Sequence, residues 1–217
     1  MIPVILYYFI GTVVGGIATA VGLKMGEKYI EEMSLGKFIY PIACTVTGGI
    51  YALLYLKHEM KSELVVGLFL AAILVALVIC DLRYRKLPNH ILVTAIIVIS
   101  VWRLFYHPLP LWSYVMGFVI GGGILLVASL KAMKKGRAPI GGGDIKLMAL
   151  IGLAMGVKLV LVTLFITFAV GGIIGFLLVA ARWVRRDGFI PLAPIIALAS
   201  LYAWVYGESL LQWYLGK

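Results

Sequence analysis

Charge is scarce in this chain. Only 13% of its residues are Asp, Glu, Lys or Arg, 63% are hydrophobic, and the mean hydropathy is +1.09. A soluble domain is excluded, because one core cannot hide that much apolar surface, and lipid is the expected solvent for most of the chain. Cysteine is limited to Cys44 and Cys80, both inside apolar runs. That excludes a disulfide framework and a Cys-x-x-Cys metal site, and the two read as buried apolar residues. Aspartate is nearly as rare: Asp81, Asp144 and Asp187 are the three in 217 residues.

Apolar runs of about 17–25 residues read as membrane helices. They fall near 2–23, 38–56, 64–81, 90–106, 111–130, 157–181 and 190–206, with a shorter run at 144–155. The expected fold is an all-α polytopic bundle of about eight helices, forming one integral-membrane domain over 1–217. No Lys or Arg precedes Lys24 and no small-residue cleavage pattern follows, so the first run is expected to be a permanent anchor.

Positive residues in short loops stay on the cytoplasmic side. Lys24, Lys28 and Lys37 mark the first loop, Arg83, Arg85 and Lys86 the third, Lys131, Lys134, Lys135 and Arg137 the fifth, and Arg182, Arg185 and Arg186 the seventh. With Lys146, that side carries 14 of the 19 basic residues, while Lys57, Lys61, Arg103, Lys158 and Lys217 fall opposite. Both termini are therefore expected outside. The formal charge of +10 reads as a topology signal with anionic headgroups as partner, not as nucleic-acid binding.

Two aspartates sit where charge is unwelcome. Asp81 follows the apolar run Leu74–Cys80 at the point where a helix leaves the bilayer, and Asp144 follows Gly141-Gly142-Gly143 where the short run begins. The charge pattern places both on the cytoplasmic side, at similar depth. A boundary carboxylate is a functional hypothesis by default, and a helix-terminal carboxylate paired with a neighbouring Lys or Arg is the plain alternative. Two facing carboxylates can hydrolyse a peptide bond without metal or nucleophilic side chain, by sharing one proton and activating one water. Asp144 opens a helix, where backbone N–H groups favour an anion; Asp81 ends one, where the dipole opposes it. Asp144 is thus expected to be the resting anion and Asp81 its protonated partner, although Arg83 and Lys86 favour charge on either. The glycines before Asp144 would let an extended peptide approach, or serve flexibility alone. Gly121-Gly122-Gly123 and Gly171-Gly172 suit close helix packing.

Gly141-Gly142-Gly143-Asp144 followed by Ile145-Lys146-Leu147, together with Asp81 and Leu87-Pro88-Asn89, resembles the two catalytic motifs of type IV prepilin peptidases and archaeal preflagellin peptidases. These are aspartyl proteases of the Gly-x-Gly-Asp kind. Weaker similarity runs through Gly11-Thr12-Val13-Val14-Gly15, Tyr40-Pro41, Thr47-Gly48 and Ile190-Pro191-Leu192-Ala193-Pro194. The resemblance implies a plasma-membrane endopeptidase with Asp81 and Asp144 as its catalytic pair and with no cofactor. Its substrates would be pilin-like precursors with a short basic leader and a hydrophobic helix, cut between the two at the cytoplasmic face. Gly141, Gly142, Gly143 and Lys146 would be weaker substrate-binding candidates, Lys146 more readily a headgroup-facing cation.

Departures from that pattern bear on a second activity. Many bacterial members insert a long loop with paired Cys-x-x-Cys zinc motifs where this chain has only 24–37. They also tend to carry Glu where Cys44 stands and Asn where Thr19 stands. N-methylation of the new amino terminus from S-adenosylmethionine is therefore not expected. Three other readings stay open: a small ion-coupled transporter using the same aspartates, a presenilin-like intramembrane protease, in which Tyr normally stands at the position of Cys80, and a noncatalytic secretion subunit. His58-Glu59-Met60-Lys61-Ser62 lacks the second His of a zinc-protease motif, and His90 and His107 have no partner in sequence. Trp112, Trp183, Trp204, Trp213 and Tyr214 read as an interfacial aromatic belt.

Overall fold

The computed structural model describes residues 2–26, 39–58, 62–136, 140–181 and 191–216. Apolar runs in this chain become helices because a helix satisfies its own backbone polar groups, which lipid cannot do. Among the described residues seven form: α1 (Ile2–Gly26), α2 (Ile39–His58), α3 (Ser62–Tyr84), α4 (Asn89–Phe105), α5 (Leu111–Lys134), α6 (Gly142–Ala180) and α7 (Ala193–Leu215). Five of them, α1, α3, α5, α6 and α7, are long and apolar enough to cross a membrane. With 17 residues, α4 reaches about 25 Å, a little short of a full hydrocarbon core.

The chain falls into two compact units, residues 1–95 and 96–217. In the first, α1 packs on α2 and α3. Glycines make the α1–α2 contact close: a Cβ on Gly11 would lie 2.8 Å from Gly48 Cα and from Thr47 O, and one on Gly48 would lie 2.9 Å from Tyr8 O. Buried hydroxyls in this contact turn back onto their own helices, Thr19 donating to Gly15 O and Thr47 to Ala43 O, both at 2.7 Å. At the other end of α1, Leu23, Ala43 and Ile79 share a small core with Val75.

In the second unit, α6 folds back on itself. The runs expected at 144–155 and 157–181 join in one element through Gly156, whose φ of 78° and ψ of 179° lie outside any helix. A Cβ on Gly121 would lie 2.5 Å from Met148 O and 3.1 Å from Val160 Cγ2. Twelve residues of straight helix span about 18 Å, so residues 148 and 160 can flank one glycine only if the chain reverses between them. The element is thus a short arm, 142–155, and a long arm, 157–180. This is why seven helices stand where about eight were expected. The short arm runs antiparallel to α5, Gly152 facing Gly117, while Gly171 and Gly207 pair the long arm with the two ends of α7.

Apolar side chains point outward in large number, among them Phe9, Val13, Phe165 and Phe176, the pattern of a lipid-facing surface. Trp112, Trp213 and Tyr214 are exposed as expected of an aromatic belt, but Trp204 is buried. The reason is a displaced element: α7 runs to Leu215, where its cap Gly216 takes φ of 66°, so Trp204 is mid-helix and packs inward. The loop 24–37 lies mostly outside the described residues, as do Trp183, Asp187, Ile190, Glu59–Lys61 and the basic residues Lys28, Lys37, Arg137, Arg182, Arg185, Arg186 and Lys217.

Candidate functional site

Asp81 occupies the last turn of α3 and is only 3% exposed. Its helix end is fastened from one side. The Cys80 thiol donates to Gly22 O at 3.1 Å and the Tyr84 hydroxyl to Leu23 O at 3.0 Å. Residues four apart share a helix face, so both bonds tie the same flank of α3 to the end of α1, and Asp81 lies between them in sequence. The backbone then turns sharply. Arg85 takes a left-handed φ of 51°, and its N–H donates to the Asp81 carbonyl at 2.9 Å, closing the helix as a glycine usually would. Leu87-Pro88-Asn89 follows, with Pro88 buried and its carbonyl accepting from Leu92 N–H at 3.4 Å as α4 begins.

Asp144 occupies the first turn of α6 and is 5% exposed. Gly141 O accepts from Asp144 N–H at 3.0 Å and from Ile145 N–H at 3.3 Å, so Gly141 closes the first turn. A Cβ on Gly141 would lie 3.0 Å from Asp144 Oδ2; the missing side chain leaves room for the carboxylate to fold back over the turn. Ser129 Oγ donates to Ile140 O at 3.3 Å, anchoring the segment before the glycines to α5. Lys146 is exposed, and nothing lies within 4 Å of a Cβ built on Gly142. The sequence-expected residues thus fall in two places: Gly141, Gly142, Gly143, Asp144 and Lys146 at one helix start in the second unit, and Asp81 at a helix end in the first. Among the described residues, no three His, Cys, Asp or Glu side chains cluster as metal ligands.

Residues 68–176, spanning both aspartates, match the type IV leader peptidase family. The chain belongs to that family. Membership makes it a leader peptidase. Similar proteins include the prepilin leader peptidase/N-methyltransferase of Bacillus subtilis (strain 168), 30% identical over 179 residues, or 82% of this chain and 70% of that one. The Aeromonas salmonicida (strain A449) protein of the same name is 30% identical over 151 residues, or 69% of this chain and 52% of that one. The Legionella pneumophila protein is 24% identical over 181 residues, covering 82% and 62%. The chain therefore spans about half to 70% of these relatives. No solved structure matches it significantly.

Sequence reasoning missed one charged residue of this leader peptidase. Arg103, counted as an outer-side anchor, is 2% exposed, donates to Ala154 O and stacks its guanidinium 4.4 Å from the centre of the Tyr114 ring. The signal was present in outline, an arginine within an apolar helix, but its partner lies 51 residues away.

Proposed function

We propose that Asp81 and Asp144 are the catalytic pair of this membrane aspartic endopeptidase, which removes the short basic leader of type IV pilin-like precursors at the cytoplasmic face of the plasma membrane. One observation carries the reading. Of the three aspartates in the chain, the two in matching motifs are both nearly fully buried at helix ends. A buried carboxylate at a lipid boundary is costly, and a pair that shares one proton lowers that cost while creating an acid and a base.

In the proposed mechanism the two carboxylates act on one water. Asp144, at the positive end of its helix dipole, takes the water's proton as the water attacks the scissile carbonyl. Asp81 donates its proton to the carbonyl oxygen as charge develops there. The proton then moves to the leaving nitrogen, the C–N bond breaks and one shared proton remains on the pair. The substrate helix stays in the bilayer and its basic leader rests among the headgroups, so geometry selects the bond between them. Gly141, Gly142 and Gly143 provide backbone against which an extended peptide can lie, and Lys146 is a headgroup-facing cation at the same mouth. The scheme calls for no cofactor, and both termini fall outside.

The names of the relatives include N-methyltransferase. We assign this chain the peptidase step alone, since Cys44 replaces the usual Glu, and Thr19, in place of Asn, spends its hydroxyl on Gly15 O. A transporter reading is disfavoured by family membership and by aspartates at helix ends instead of mid-helix. The test is cleavage of a pilin-like precursor by purified protein in liposomes, with product mass giving the cut site. The parent should cut after the basic leader, and folded Asp81→Asn and Asp144→Asn should each lose at least about a thousandfold in kcat; near-parent activity in either would remove the two-aspartate mechanism.

A further inference from the structure

The reversal at Gly156 leaves backbone groups on both arms of α6 without intrahelical partners, next to Ala154 and Met155, which are buried. The second unit answers one on each arm with a side chain. Ser113 Oγ accepts from Val157 N–H at 3.3 Å, at the start of the long arm. Arg103 donates through Nη2 to Ala154 O, at the end of the short arm, while its plane lies 4.4 Å from the Tyr114 ring centre. Tyr114 is itself held, its hydroxyl accepting from Leu109 N–H at 3.2 Å.

The rest of the short arm meets α5 through glycine and backbone. A Cβ on Gly152 would fall on the Gly117 carbonyl, one on Gly121 would lie 2.5 Å from Met148 O, and one on Gly122 would lie 3.0 Å from Ala149 Cβ. Such a face brings two helices very close, but it has few side-chain knobs to fix how far one slides along the other. Axial register must then be set at the ends of the contact. Asp144 lies ten residues, about 15 Å of helix, from Ala154, on the same rigid rod.

We propose that Arg103 is a positioning residue of this peptidase: by clamping Ala154 against Tyr114 it sets the register of the short arm of α6 on α5, and so the position of Asp144. It touches neither substrate nor Asp144 and acts through the rod between them. A neutral side chain could satisfy one carbonyl. Only a planar, permanently charged guanidinium can donate to it in one plane and stack on an aromatic face with the other, which explains why a charge is tolerated in so apolar a place. The kinetic part of this proposal rests on the catalytic role of Asp144 and the structural part does not.

Two readouts separate them. In liposomes, Arg103→Met should lower kcat about tenfold or more with KM within about twofold, Arg103→Gln should recover part of the loss through its amide NH2, and Arg103→Lys should fall between. Independently of activity, spin labels at Lys131→Cys on α5 and Lys146→Cys on the short arm, with Cys44 and Cys80 replaced, report the register directly. Their distance should shift or broaden by about 2 Å or more in Arg103→Gln, on the order of one helical residue or above. An unchanged, equally narrow distance overturns the proposal, whether or not the protein cleaves precursors. Parent-like kcat in folded Arg103→Met overturns it as well. If the label distance moves while the parent is inert on every precursor, the positioning role stands and the peptidase reading fails.

Discussion

Arg85 carries a left-handed backbone that L side chains avoid, with φ of 51°, one turn beyond Asp81. Its N–H closes α3 onto the Asp81 carbonyl, so the strain is tied to the placement of the aspartate. Arg85→Gly should relieve about 1 kcal/mol of it and raise the unfolding midpoint in detergent. An unchanged or lower midpoint would show that the exposed Arg85 side chain stabilises the turn by more than its backbone costs. Among single residues the sequence marked the places of Asp81 and Asp144 at helix ends, where both are buried, because a carboxylate interrupts an apolar run visibly. It was uninformative about Arg103. An arginine near a helix end reads as an outer-side anchor whether it faces water or a carbonyl, and the Ala154 and Tyr114 that decide the matter come from α6 and α5.

For whole helices, periodicity was of little use, since helices in lipid are apolar on most sides, and length and punctuation had to serve instead. Gly-Gly pairs drew attention to 121–123 and 171–172, yet a Cβ on Gly123 or Gly172 would meet nothing within 4 Å. The glycines that set the α5–α6 contact include the isolated Gly117 and Gly152. Single glycines in an apolar run carry no mark of which face they occupy until the helices are paired. Gly152→Ala should therefore lower stability by roughly 1–3 kcal/mol through overpacking, whereas Gly123→Ala should stabilise slightly or not at all, as a helix-propensity change on an open face. Both can be read by thermal unfolding in one detergent. Gly156→Ala should be harmful for another reason: at φ of 78° and ψ of 179° the backbone is in a region essentially restricted to glycine. The sequence runs at 144–155 and 157–181 were visible as separate, but the sharp reversal between them was not, because a single glycine in an apolar run does not show that its φ is positive.

Across the molecule as a whole, the distribution of Lys and Arg predicts a membrane orientation. A cysteine replacing Lys134 should react with an impermeant maleimide only from the cytoplasmic side, and one replacing His107 only from outside; the reverse would move both aspartates to the wrong face for a precursor that still carries its leader. The proposed mechanism rests on Asp81 and Asp144 sharing one proton. The most direct test is disulfide formation between Asp81→Cys and Asp144→Cys in a chain lacking Cys44 and Cys80, in liposomes under mild oxidant. Carboxylates that share a proton occupy positions close enough for their replacements to reach disulfide geometry, with Cα atoms about 4–7 Å apart or brought there by small motions. A paired-aspartate site predicts a crosslink within one chain that forms in the double variant, is absent from each single variant and is reversed by reductant. Two thiols that both react with maleimide yet never join would contradict it.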